Sequence, residues 1–255
     1  MWFETRRHRM RNAELDAGFS AEWRALCARR FRWWAHLDDG ERTRLERLAR
    51  GLILDIDWEA AKGFEVTDEM TLTIAVQAAL LILGLPDDSF SGVHAVIVHP
   101  STLVLTGEHS QVEGLVSDGP MPVLGQAEFN GPVLVAWDQV LDDARHAGTG
   151  HNVVFHEFAH KLDMLDGTTD GTPPLATQEQ FDRWVEVCTR VYTEVSEGRG
   201  GRVLDPYAGV NAAEFFAVAT EAFFDDPAGL RDEQPDLYGC LSDYYRQDPA
   251  ARPGA

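Results

Sequence analysis

Cysteine is scarce in this 255-residue chain: Cys27, Cys188 and Cys240 are odd in number and widely spaced. No disulfide framework and no CxxC metal pair follow from them, and reduced thiols in a reducing compartment are expected. Long apolar runs are also missing. The most apolar segment, Thr73 to Leu85, is too short to span a bilayer and carries Gln77, so it reads as a buried helix. The first residues, MWFETRRHRMRNAELDAG, hold positive charge but no apolar stretch of signal-peptide length. A cytoplasmic location without membrane attachment is the expectation. Basic residues are the minority, 22 against 42 acidic, giving a formal net charge of -20. Such a surface repels phosphate backbones and anionic head groups, which argues against direct nucleic-acid binding. The basic charge that exists is gathered early, at Arg6, Arg7, Arg9, Arg11, Arg24, Arg29, Arg30 and Arg32. That stretch reads either as a solvated arm and helix face, or as a docking segment for an acidic partner or for the rest of this acidic chain.

What is present is an ordinary globular composition, 44% hydrophobic and 25% charged, which supports a substantial core. Apolar positions at helical spacing cover 20–50, with a break at Asp38-Asp39-Gly40, and a further helix is expected over 68–84. The middle changes character. Val93 to Val98, Leu103 to Leu105 and Pro132 to Trp137 are short, apolar and bounded by turn residues such as Gly119-Pro120, which predicts a small sheet between 93 and 137. Helices return over 151–165, stopped by Asp166-Gly167, then 178–196 and 211–224, with a final short helical region. The order helices, sheet, helices predicts an α+β fold. A helical N-terminal region, 1–90, is expected to pack on a second part, 91–255, the two forming one compact unit.

The motif that carries chemistry is His156-Glu157-Phe158-Ala159-His160, an HExxH. Residues four apart share one face of a helix, so two imidazoles can converge on one tetrahedral zinc ion. Glu157 lies about 100° around the helix, badly placed to ligate but able to reach a water on the metal as a general base. The plain alternative is a helix with two surface histidines and a satisfied glutamate. Val153, Val154, Phe155 and Phe158 make the helix apolar, however, and buried polar residues need partners. A catalytic zinc needs a third protein ligand. The residues leave three candidates open: Glu214, Asp163 and Glu221. Glu214 and Glu221 are seven apart on a helix otherwise rich in Ala and Phe, where a carboxylate is costly unless something positive meets it. Asn211 and Glu214 also fit the spacing of a capping box, which would occupy that carboxylate elsewhere. His94, His99, His109, His146 and His151 read as structural or surface histidines, and the Trp33-Trp34 pair reads as core.

The chain resembles the Mlc titration factor A family of bacterial zinc peptidases. The resemblance is carried by HEFAHKLD at His156 to Asp163, DPYA at Asp205 to Ala208, and AEFFAV at Ala213 to Val218 with Glu221. Supporting stretches are KGFE from Lys62, VIVHP from Val96, GQ at Gly125, GPVL from Gly131 and YYRQDP from Tyr244. It implies a gluzincin-type site in which His156, His160 and Glu214 hold one Zn²⁺ per chain and Glu157 is the base. Tyr207 would donate to the developing oxyanion, and Asp163 and Glu221 become partners that orient a ligand histidine through its other ring N–H. It also implies a zincin-like catalytic domain, like that of anthrax lethal factor, whose edge strand pairs with an extended peptide or protein substrate. Pro132 to Trp137 is the expected edge strand, with Val133, Val135 and Trp137 as substrate-binding residues. Members of the family are associated with aminopeptidase activity and with binding a DNA-binding transcriptional repressor. The rival to an enzyme is therefore a non-catalytic regulator-binding protein with structural or absent zinc.

Overall fold

The computed structural model describes residues 13–61, 63–101, 103–105, 121–123, 125–127 and 131–252, with the backbone alone for the short segments between 103 and 127. The arginines before residue 13, Lys62, His109 and the Gly119-Pro120 turn lie outside the described residues.

Nine labelled helices and six strands organise the described chain. Helix α1 (Ala21–Arg30) starts at Ser20, whose hydroxyl accepts from Trp23 N, and is followed by a 3-10 turn, Arg32–His36. Helix α2 (Asp39–Asp55) begins one residue into the expected break, because Asp38 and Glu41 form a reciprocal capping box. Helix α3 (Asp68–Leu81), capped by Thr67, is buried along most of its length, as its unbroken apolar sequence requires. Arg24 pairs with Glu46 at 2.7 Å and Arg30 with Glu69 at 2.6 Å, so these two N-terminal arginines face the chain's own carboxylates.

The main sheet has strand order β1-β2-β6-β5. Strands β1 (Asp57–Ala60), β2 (Ala95–His99) and β6 (Val133–Ala136) are parallel, and β5 (Gly125–Ala127) runs antiparallel to β6. Strands β3 (Leu103–Leu105) and β4 (Met121–Val123) form a separate antiparallel pair. The architecture is thus a helix-rich one around a small sheet with three parallel strands. Residue 91 falls between β1 and β2, which are hydrogen-bonded neighbours.

The expectation that Pro132 to Trp137 is an edge strand is overturned. Strand β6 has β2 on one side and β5 on the other, so its backbone groups are already paired. Val133 and Val135 are fully buried, and Trp137 opens helix α4 (Trp137–Arg145). These side chains are core and helix start, not a peptide platform. Among the described residues β5 closes the sheet on that side.

The second half is helical: α5 (Val153–Asp163), α6 (Gln178–Ser196), α7 (Ala212–Asp225), α8 (Pro227–Glu233) and α9 (Pro235–Tyr245). Helix α5 is enclosed by α3, α7, β5 and β6, and all of it except His156 is buried. Phe155 and Phe158 are completely buried, each worth roughly 1.5–3 kcal/mol in transfer terms. One apolar core runs from Phe19 to Tyr245 and includes the three free cysteines. No helix of the described residues is long and apolar enough to cross a membrane.

Candidate metal centre

Two helices build the site. On α5, Asn152 caps the N-terminus by accepting from Phe155 N at 3.0 Å, and the helical repeat then stacks His156 beneath His160. Their Nε2 atoms are 3.2 Å apart. On α7, Asn211 Oδ1 accepts from Glu214 N at 3.0 Å, the asparagine half of a capping box. The Glu214 carboxylate turns instead to the imidazoles: Oε2 lies 3.0 Å from His156 Nε2 and 3.6 Å from His160 Nε2.

These three atoms form a triangle whose edges can be tested against an ion. A tetrahedral ion with bonds near 2.0–2.1 Å needs donor atoms about 3.3–3.4 Å apart. The observed edges of 3.2, 3.0 and 3.6 Å bracket that value. Glu214 Oε2 is buried and lacks a properly aligned hydrogen bond despite its short approach to His156, as expected of an atom aimed at a shared point. Among the described residues, His156, His160 and Glu214 are the group able to hold a metal ion.

The surroundings tune these donors. Glu221, two turns along α7 from Glu214, accepts from His156 Nδ1 at 2.7 Å. With Nδ1 turned to that carboxylate, Nε2 is the ring nitrogen that faces the triangle. Burial disfavours a charged His156, but the Glu214 and Glu221 carboxylates outweigh it and raise its pKa well above the ordinary value. Burial would raise Glu214 as well, yet the imidazoles of His156 and His160 bring it down to about 2. Glu157 is 2% exposed, and its Oε2 has no hydrogen-bond partner among the described residues. Burial pushes its carboxyl up to about 8, against the opposing influence of His156. A carboxyl with that affinity for a proton is suited to taking one and giving it back.

A cleft of about 400 Å³ opens over these groups, lined by His156, Glu157, His160, Met164, Thr169, Tyr207 and the first residues of α7. Tyr207 sits in a 3-10 turn, Pro206–Gly209, held by Asp205 Oδ1 accepting from Tyr207 N at 2.7 Å. Its ring is 6.2 Å from that of His156, and burial with the nearby Glu214 and Glu157 holds the phenol up at about 12, a protonated donor. Asp163 does not join the triangle. Its Oδ2 accepts from Gly171 N at 3.0 Å, and burial pushes it to about 6. Trp184 of α6 donates to Gly171 O at 3.2 Å, so the loop after α5 is tied from both sides. His151, 3.7 Å from Asp205, lies half exposed and away from the triangle.

Other residues serve the site without having been singled out in the sequence. Asp225 Oδ2 accepts from Gly148 N at 2.8 Å and Gly150 N at 2.9 Å, and Asp143 Oδ2 accepts from Val153 N at 2.8 Å. With Glu221 Oε2 on Asn152 N at 2.6 Å, three carboxylates hold the start of the metal helix, where its orphan N–H groups and dipole favour negative charge. Nothing local marks Asp143 or Asp225, since each stands in an acidic pair, Asp142-Asp143 and Asp225-Asp226.

Two stacked histidines, a carboxylate from a second helix and a buried glutamate beside them are the equipment of a single-metal hydrolase. The chain matches the glucose-regulated metallo-peptidase M90 family over residues 2–246, and it belongs to that family of metallopeptidases. It is 34% identical over 239 residues to Mlc titration factor A of Edwardsiella ictaluri, covering 91% of this chain and 90% of that protein. Against the same-named protein of Pectobacterium atrosepticum the identity is 33% over 223 residues, 86% of this chain and 83% of the relative. An uncharacterised protein of Synechocystis is 31% identical over 231 residues, 89% and 84% of the two chains.

Proposed function

We propose that the chain is a zinc-dependent peptidase of the gluzincin type, with a zincin-like catalytic part over 91–255 whose sheet is extended by β1 from the 1–90 region, the two forming one compact unit, working in the cytoplasm on the amino ends of short peptides. In this reading His156, His160 and Glu214 hold one zinc ion and Glu157 is the general base. The observation that carries it is the triangle of Nε2, Nε2 and Oε2 atoms at tetrahedral spacing. Zinc, when bound, supplies Lewis acidity and brings a water into the range of a neutral-pH nucleophile. Glu157 takes the proton of the attacking water and delivers it to the leaving amine. Tyr207, exposed at the cleft and protonated, donates to the oxygen on which negative charge develops. Glu221 keeps His156 in its ligating tautomer. An extended substrate gains backbone hydrogen bonds by adding to the sheet at β5, the strand that closes it beside α5.

The test is metal content followed by hydrolysis of aminoacyl anilides, with and without chelator, in wild type and Glu157→Gln. Stoichiometric zinc, chelator-sensitive turnover and a loss of at least about 10²-fold in Glu157→Gln support the reading. Undiminished turnover in Glu157→Gln removes the base and the mechanism with it.

The names of the relatives favour a second role, binding a DNA-binding transcriptional repressor, for which a net charge of -20 offers attraction to a basic partner. A salt-sensitive complex with such a repressor, surviving Glu157→Gln, is the expected outcome. Absence of any complex at low salt excludes this role and leaves the peptidase untouched.

A further inference from the structure

Gln77 lies on α3, 1% exposed, among alanines, leucines and valines. An apolar residue of its size would fill the same space without an amide to satisfy. Both ends of that amide are used. Nε2 donates to Thr73 O at 3.0 Å, one turn back, which aims Oε1 away from α3. Oε1 accepts from Asn152 Nδ2 at 2.7 Å, across to the start of α5.

Asn152 is thereby held in one orientation. Its Oδ1 accepts from Phe155 N, so the amide cannot flip without breaking both bonds. Its backbone N–H donates to Glu221 Oε2 at 2.6 Å, and Glu221 Oε1 accepts from His156 Nδ1 at 2.7 Å. A continuous buried chain of hydrogen bonds therefore runs from α3 through Gln77, Asn152 and Glu221 to the ring of His156. Each side-chain nitrogen and oxygen of Gln77, Asn152 and Glu221 has a partner, the condition under which a buried polar network fixes geometry.

We propose that Gln77 is a positioning residue of the metal centre, acting through Asn152 and Glu221 on the orientation of His156. This rests on the metal-binding reading of His156, His160 and Glu214. The consequence is that the N-terminal helices set the affinity of a site whose ligands all lie beyond residue 150.

The experiment is a double-mutant cycle on the full chain, read as zinc affinity against a competing chromophoric chelator and as the visible spectrum of the Co²⁺ form. Gln77→Met removes the amide at similar volume. Asn152→Ser keeps a cap for Phe155 N but removes the NH₂ that donates to Gln77 Oε1. Gln77→Met is expected to weaken zinc by about 3–10-fold, below the 10–100-fold typical of a direct partner of a ligand, and to shift the Co²⁺ bands. In the Asn152→Ser background the same change is expected to cost nothing further. A role in packing alone lowers the melting temperature but leaves affinity and spectrum alone. That result, or equal losses in both backgrounds, overturns the proposal. If Gln77→Met does not fold, Asn152→Ser alone breaks the same link, and unchanged affinity there is equally decisive. Failure of the wild type itself to bind zinc refutes the metal reading instead, so the two failures are distinguishable.

Discussion

Gly171→Ala tests whether the loop after α5 braces the helix that carries Glu214. Gly171 has φ +77, and a Cβ there would stand 2.2 Å from Ala212 O and 2.6 Å from Ala212 C, the backbone of the first residue of α7. The left-handed backbone alone costs an alanine roughly 1–2 kcal/mol. Forcing a methyl into backbone adds about 1–3 kcal/mol, since neither partner is a flexible side chain. The sum, roughly 2–5 kcal/mol, lowers the melting temperature of a chain this size by about 4–20 °C. Gly167→Ala is the internal control: φ is +93 but nothing lies within 4 Å of the added Cβ, so only the backbone cost applies. Calorimetry of both variants, metal-free and zinc-loaded, separates the two contributions. Gly171→Ala should be the less stable and should also bind zinc more weakly, because relieving the clash displaces Ala212 and with it Glu214. If the two variants melt together, the contact with Ala212 is slack and the bracing argument is refuted.

Glu221→Gln should weaken zinc by about 10–100-fold while leaving the ligand set intact, measured by chelator competition; unchanged affinity would show that the bond to His156 is idle. Tyr207→Phe should lower kcat by about 10²-fold with little change in KM, and an equal loss in KM would point to binding instead. Asp143 provides a pH test. Burial raises its carboxyl from 3.8 to about 6 in the folded chain, so its stabilising share is complete below pH 3.8 and is lost as pH rises through 6. The loss is on the order of 3 kcal/mol between those limits. Asp143→Asn should flatten that part of the stability profile in denaturant titrations on either side of the window, and an identical slope in the variant would place the titration elsewhere.

The helices of the site were legible because their signals are local. Gln178 to Ser196 follows from periodicity alone, Asn211 announces its cap, and Asp166-Gly167 stops the metal helix where Gly167 adopts φ +93. The histidine pair follows from the helical repeat. The choice among Glu214, Asp163 and Glu221 does not, because it depends on how α7 lies against α5. Glu214 reaches the imidazoles, Glu221 takes the far side of His156, and Asp163, only three residues after His160, faces the Gly171 loop. Strand order was hidden for the same reason. Pro132 to Trp137 is apolar whether it is internal or at an edge, and one of its two neighbours, β2, comes from far back in the chain. Strand β1, Asp57–Ala60, was not anticipated at all, since it has no fully buried position and alternates only between exposed and half-buried.

Glu214, Glu221 and Asp225 all leave α7 toward α5 and the turn before it, at spacings of seven and four. Such spacing returns to nearly one azimuth, so the three act as teeth on a single rigid bar. Inserting or deleting one residue inside that span would rotate part of the bar by about 100° and disengage the teeth beyond it, whereas a length change after Asp226 leaves the engagement intact. Gly148 and Gly150, bound to the last tooth, become distant reporters: their amide exchange should slow when an ion locks the first.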